Sequence, residues 1–105
     1  MSFLIAIDPG SKKCGILLAD IELKTVLKGD VVATSSLISI INLWKKRRKI
    51  DSIIIGNGTR SNDLEIEIKS KTSIPVVLVE ERNTTLRARE RYWEIWPKNF
   101  FLKLL

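Results

Sequence analysis

Two apolar segments of this chain each end in carboxylates. Asp8 follows the segment Phe-Leu-Ile-Ala-Ile and precedes Pro9 and Gly10, whereas Glu80 and Glu81 close the segment Val-Val-Leu-Val. An unpaired charge on a buried strand is costly, so such an acid needs a partner or a cation. Mg²⁺ and Mn²⁺ prefer oxygen ligands of this kind. If the two strands lie side by side, Asp8 and Glu81 would face one divalent-cation site. The alternative is that Asp8 only caps a tight turn.

A glycine-rich stretch over residues 55–61 has the sequence Ile-Gly-Asn-Gly-Thr-Arg-Ser. Between a strand and a helix, such a turn can present backbone N–H groups to an anion, and Arg60 could add a bidentate phosphate contact. Turns of this composition are also common in α/β folds that bind nothing there, so the stretch alone does not decide between the two interpretations.

The absence of histidine excludes several kinds of chemistry. None of the 105 residues is His, so the chain has no Ser-His or Cys-His dyad, no His general acid and no His-ligated zinc. Any catalysis must use carboxylates, Lys, Tyr, Ser, Thr or a metal bound through oxygen. The net charge of +6 suits a nucleic-acid partner, and it equally suits a lysine-rich surface with no such role.

The length and composition are those of one globular domain. A chain of 105 residues with 45% hydrophobic residues can build one core. The single cysteine, Cys14, cannot form an internal disulfide, which fits a reducing compartment. No apolar segment approaches the roughly 18 residues of a membrane span, and no secretory signal begins the chain. We therefore expect a cytoplasmic domain over residues 1–105, with no membrane partner.

The hydrophobic periodicity predicts an α/β fold in the order β-β-β-α-β-α-β-α. The apolar segments predict strands over residues 3–8, 14–20, 24–33, 52–56 and 76–80. Helical spacing predicts helices over residues 37–49, 62–72 and 84–96. Three strands joined by short links, followed by alternating helices and strands, imply a mixed five-stranded sheet with flanking helices, its first three strands antiparallel.

Local signals predict how these elements begin and end. The two serines at 35–36 can cap the first helix, and Asn62 with Glu65 resembles a capping box on the second. Gly29 indicates a bulge in the third strand. The five cations at 45–49 suit the C-terminal end of a helix dipole, and a phosphate-binding role for them is the alternative.

Three motifs resemble, in order, those of the YqgF/RuvX family. They are Asp-Pro-Gly-Ser-Lys-Lys-Cys-Gly-Ile at 8–16, Ile-Ile-Gly at 54–56 with the turn after it, and Glu-Glu-Arg-Asn-Thr-Thr at 80–85. The resemblance implies a ribonuclease-H-like fold. It also implies an Mg²⁺- or Mn²⁺-dependent nuclease that acts on structured nucleic acid, either a Holliday junction or a precursor ribosomal RNA.

The resemblance also implies roles for individual residues. By motif position, Asp8 would be the first metal ligand and Glu81 the second acid, and both would be catalytic. The residues that would bind the substrate are Lys12, Lys13, Thr59, Arg60, Arg82, Thr84 and Thr85.

The chain departs from the family pattern in two places. Glu80 stands where the family has aspartate, which is a small change. The family continues into a further helix with a third aspartate, whereas no Asp or Glu follows Glu94 here. We therefore expect a domain shortened at its C-terminus and a nuclease that is weakened or inactive. The alternative is a non-catalytic nucleic-acid-binding module. A phosphate-binding fold of the actin/sugar-kinase type ranks third, because a second Asp-x-Gly turn is missing.

The last residues of the chain are strongly apolar. We expect them to cover part of the sheet or to form a homodimer contact. They are Phe100, Phe101, Leu102, Leu104 and Leu105.

Overall fold

The computed structural model describes residues 3–23, 25–56 and 61–79. Within them the elements follow the predicted order. They are β1 (Phe3–Asp8), β2 (Lys13–Asp20), β3 (Thr25–Ala33), a 3₁₀ turn (Thr34–Ser36), α1 (Leu37–Arg47), β4 (Ile50–Gly56), α2 (Ser61–Lys71) and β5 (Val76–Val79). The turn predicted at 57–60 and the helix predicted at 84–96 lie outside the described residues.

The five strands form one sheet in the order β3-β2-β1-β4-β5. β1, β2 and β3 pair antiparallel, β4 is parallel to β1, and β5 is parallel to β4. Short links suffice for the antiparallel strands, whereas the parallel pair β4–β5 requires the crossover that α2 supplies. The predicted mixed five-stranded sheet is confirmed, and β1 lies at its centre.

Both described helices pack on the same face of the sheet. α1 buries Leu37, Ile41 and Trp44 there, and α2 buries Leu64 and Ile68. These side chains meet the alternate residues of the strands, among them Ile5, Ile7, Ile16, Ile53 and Ile55. With 11 residues each, the two helices are too short to cross a membrane, and no described helix is long and apolar enough to do so.

The other face of the sheet is apolar too. Its buried residues are Leu4, Ala6, Leu17, Ala19 and Ile54. Strands that are buried on both faces must be apolar at every position rather than at alternate ones. This explains why residues 3–7 of β1 and 53–55 of β4 are apolar at every position, and why a carboxylate can enter β1 only at its end.

Three local predictions were wrong. Ser36 occupies the N-cap position of α1, but its side chain makes no cap hydrogen bond, because a 3₁₀ turn leads into the helix. α2 begins at Ser61, so Asn62 lies inside the helix instead of capping it. Gly29 pairs regularly with β2, and the irregularity falls at Leu27, which the register skips.

We predict that two isoleucines of α2 differ sharply in their contribution to stability. Ile68 is fully buried, whereas Ile66 is 67% exposed. Ile68→Ala should lower the free energy of unfolding by about 2–5 kcal/mol, since it leaves a cavity. Ile66→Ala should change it by less than about 0.5 kcal/mol. Urea denaturation measures both values, and equal losses would show that α2 presents a different face to the sheet.

Candidate functional site

Asp8 is the last residue of the central strand β1. The four residues before it are buried, and Asp8 itself is half-buried at the C-terminal end of β1. Its partner in the antiparallel register is Gly15 of β2. The pairing of β1 with β2 and β4 therefore fixes the backbone that leads to Asp8.

The carboxyl ends of β1, β4 and β5 lie side by side at the same end of the sheet. Ile7 pairs with Ile55, and Gly56 pairs with Val79, so the last residues of the three strands are level. β4 lies between β1 and β5, and the expectation that the strand of Asp8 directly neighbours the strand before Glu80 was therefore wrong. Two strand spacings separate β1 from β5, which is about 10 Å.

The loop after Asp8 is tightly built around Gly10. A Cβ atom at this position would overlap the backbone carbonyl oxygen of Lys13. Because backbone cannot swing aside as a flexible side chain can, only glycine fits here. The loop therefore follows one path from Asp8 to β2, and Lys12 and Lys13 are exposed on that path.

Thr34 fastens this loop to the beginning of the helical region. Its hydroxyl donates a hydrogen bond of 2.9 Å to the carbonyl oxygen of Gly10. Its backbone N–H donates another, also 2.9 Å, to the carbonyl oxygen of Lys12. Two bonds from one residue hold both ends of a short loop, so the position of the chain after Asp8 depends on Thr34.

The buried thiol of Cys14 completes this small network. Its sulfur lies 3.2 Å from the Thr34 hydroxyl oxygen and 3.9 Å from the carbonyl oxygen of Gly10. Because the single hydroxyl proton of Thr34 goes to Gly10, the thiol is the donor in the shorter contact. Cys14 is free and buried, and it supports the loop rather than reacting.

Sequence reasoning missed Thr34. It is 24 residues from Gly10, so nothing in the local pattern marks it as a partner of the loop. The one available signal is its place at the end of β3, because an antiparallel meander returns that end to the beginning of β2.

Two other acids, Asp20 and Asp63, have structural surroundings. The buried Asp20 accepts a hydrogen bond of 3.1 Å from the backbone N–H of Leu23, which closes the turn after β2. Asp63 lies in the first turn of α2, where a negative charge suits the helix dipole. Among the described residues, no group of three or more His, Cys, Asp or Glu could hold a metal ion.

Six predicted site residues lie outside the described part of the chain. They are Thr59, Arg60, Glu81, Arg82, Thr84 and Thr85. From the predicted set the structure therefore describes three residues: Asp8 ends β1, Lys12 lies in the loop after it, and Lys13 begins β2.

No protein-family model matches the chain. Two curated bacterial proteins, both named "Putative pre-16S rRNA nuclease", are similar to it. The protein from Phocaeicola vulgatus is 29% identical over 103 residues, covering 86% of this chain and 73% of its own. The protein from Christiangramia forsetii is 28% identical over 101 residues, covering 84% and 74%. These relatives confirm the resemblance drawn from the three motifs.

Solved structures share the fold at lower identity. The chain matches Thermus thermophilus RuvC, solved in complex with a Holliday junction substrate, with a TM-score of 0.60 and 17% identity over 93% of this chain and 81% of that one. Another structure of RuvC from the same organism gives a TM-score of 0.56 and 14% identity over 74% and 63%. These matches confirm the predicted ribonuclease-H-like fold.

We predict that the Thr34 hydroxyl, rather than the bulk of its side chain, stabilises the loop. Thr34→Val keeps the shape but leaves the Gly10 carbonyl without its donor, which should cost about 1–2 kcal/mol of unfolding free energy. Thr34→Ser keeps the donor and should cost less than about 1 kcal/mol. Denaturation of the two variants side by side measures this, and a valine variant at least as stable as the serine variant would contradict it.

Proposed function

We propose that this chain is a metal-dependent nuclease of the YqgF/RuvX kind that hydrolyses phosphodiester bonds in structured nucleic acid. The observation that carries the proposal is Asp8, which ends the central strand β1 level with the last residues of β4 and β5. It is followed by a loop that Thr34 holds and by the exposed Lys12 and Lys13. The names of the two relatives support a precursor ribosomal RNA as substrate, and the RuvC complex supports a Holliday junction.

Asp8 and Glu81 are the residues that would hold Mg²⁺ or Mn²⁺. Carboxylate oxygens are the ligands that these hard cations prefer, and Asp8 would supply such oxygens at the carboxyl end of β1. β5 ends at Val79, level with Gly56 beside β1. Because side chains alternate along a strand, two further extended residues would present position 81 on the same face as Asp8. The bound ion would activate a water molecule and stabilise the leaving oxygen.

The basic residues near Asp8 would bind the sugar–phosphate backbone of the substrate. Lys12 in the loop after Asp8 and Lys13 at the beginning of β2 are both exposed, and they would hold phosphates near the acid. We propose the same role for Thr59, Arg60, Arg82, Thr84 and Thr85. The free thiol of Cys14 is consistent with a reducing compartment, and we place this nuclease in the cytoplasm.

A non-catalytic nucleic-acid-binding module is the second candidate. It is favoured by the sequence, in which the family's third aspartate has no counterpart after Glu94. It predicts salt-dependent binding with no cleavage in any divalent metal.

We predict that Asp8→Asn abolishes cleavage. The amide keeps the size of the side chain but loses the charge that would hold the cation, so the rate should fall by more than about 100-fold. The assay uses a precursor 16S rRNA fragment and a four-way DNA junction, each with Mg²⁺ or Mn²⁺. Asp63→Asn is the matched control, because Asp63 is exposed on α2. Cleavage that survives Asp8→Asn would reject the site, and cleavage by neither protein would favour the binding module.

We also predict that the chain forms a homodimer through its apolar C-terminal residues, which lie outside the described part. A second copy would cover side chains that are costly to leave in water. Light scattering at high protein concentration should give twice the 12.0 kDa mass of one chain. A single monomeric mass across the whole concentration range would contradict this.

A further inference from the structure

A basic cavity lies at the end of the sheet opposite Asp8. It has a volume of about 570 Å³ and is lined by residues 45–51 and 73–75. The lining joins the end of α1 and the first residues of β4 to the segment before β5. The cavity is therefore built from three separate parts of the chain.

Positive charge dominates this lining. Residues 45–49 are five consecutive cations, and Asp51 is the one acid among the lining residues. The Asp51 carboxylate is already engaged, because its Oδ2 accepts a hydrogen bond of 2.9 Å from the backbone N–H of Phe3. Within the described part of the chain, none of the five cations has a carboxylate partner at salt-bridge distance.

The helix dipole accounts for only part of this charge. The C-terminus of a helix carries about half a negative elementary charge, which one or two cations in the last turn would balance. Lys45, Lys46 and Arg47 occupy the last turn of α1, and Arg48 and Lys49 follow it. A net positive charge therefore remains beside the cavity, facing solvent.

The fold also orients these cations. Arg48 lies with its guanidinium carbon 5.6 Å from the centre of the Phe3 ring, which anchors it at the beginning of β1. Ile50 and Ile74, both nearly buried, form the apolar part of the lining. The remaining cations, Lys45, Lys46, Arg47 and Lys49, are exposed and can reach a ligand.

From these observations we propose that the basic cavity binds the sugar–phosphate backbone of a nucleic acid as a second contact, remote from Asp8. The proposal rests on the proposed function for its choice of a nucleic acid. β4 has seven residues, so its two ends lie about 20 Å apart. A duplex carries one phosphate charge per about 1.7 Å of its axis, so roughly a dozen phosphates span this distance. One duplex lying along the sheet can therefore reach both sites.

A pair of double variants tests the cavity. Lys45→Gln with Lys46→Gln removes two charges from the last turn of α1, in the lining. Lys69→Gln with Lys71→Gln removes two from the last turn of α2, outside the lining. Both doubles remove two positive charges from the last turn of a helix, so the change in net charge is common to them. The second double also breaks the exposed ion pair of 3.5 Å between Lys69 and Glu65, which contributes little to stability.

The measurement is the affinity of the full chain for a labelled RNA duplex of about two helical turns, at salt concentrations from about 50 to 200 mM. Chelator is present, so no metal-dependent cleavage occurs. The Lys45/Lys46 double should weaken binding roughly 10-fold and lower the slope of log affinity against log salt by about 1.8. The Lys69/Lys71 double should leave the slope within about 0.5 of the parent.

A charge-retaining variant gives the second control. Lys45→Arg with Lys46→Arg keeps both cations and should bind within about threefold of the parent. An unchanged slope in the Lys45/Lys46 glutamine double would overturn the proposal and leave the cavity to a partner other than nucleic acid. Equal weakening in both glutamine doubles would also overturn it, since the effect would then come from net charge alone.

This test is independent of the nuclease assay. If the slope falls as expected but no substrate is cleaved in any metal, the cavity stands and the catalytic proposal fails. If Asp8-dependent cleavage is found while the slope is unchanged, the catalytic proposal stands and the cavity proposal fails.

Discussion

The parallel pairing of β1 with β4 is the constraint on which the rest of this structure depends. It aligns residues 3–7 with residues 50–55 at the centre of the sheet, and apolar side chains cover both faces of the pair. A charged group cannot lie within such a pair without losing its hydration. Polar chemistry is therefore confined to the two ends of the strands, and the fold itself separates one end from the other.

The two ends of β1 lie beside groups of opposite charge. At the carboxyl end, Asp8 enters a short loop in which Gly10 admits no side chain and Thr34 supplies two hydrogen bonds. At the amino end, the N–H of Phe3 donates a hydrogen bond to Asp51, which is the one acid among the lining residues, and the Phe3 ring contacts Arg48. The same strand thus presents an acid with an ordered loop at one end and a basic cavity at the other.

The sequence predicted most of the strands because burial on both faces requires a continuous apolar segment, as over residues 3–7 of β1 and 53–55 of β4. The short polar link between β1 and β2 likewise predicted antiparallel pairing. The bond from Thr34 to Gly10 joins residues far apart in the chain, and no local periodicity reveals it. The strand order could not be predicted either, because an alternation of helices and strands does not determine which strand pairs with β1.

The local errors share one physical reason. Capping and bulge signals are weak preferences that the packing of a whole element overrides. Asn62 is helical in an element that buries Leu64 and Ile68 against the sheet, and Leu27 is skipped in a register that pairs its two neighbours with β2. Of the candidate site, the sequence located Asp8 and its glycine, while the support around them required the folded chain.

The most direct test of the central claim is anomalous diffraction from crystals soaked in Mn²⁺. If Asp8 and Glu81 hold one divalent cation, we expect a manganese peak within about 2.5 Å of an Asp8 carboxylate oxygen, with an oxygen of Glu81 in the same coordination sphere. The shared site would be contradicted by a saturating soak with no manganese at Asp8. It would also be contradicted by an ion that is bound to Asp8 but remote from Glu81.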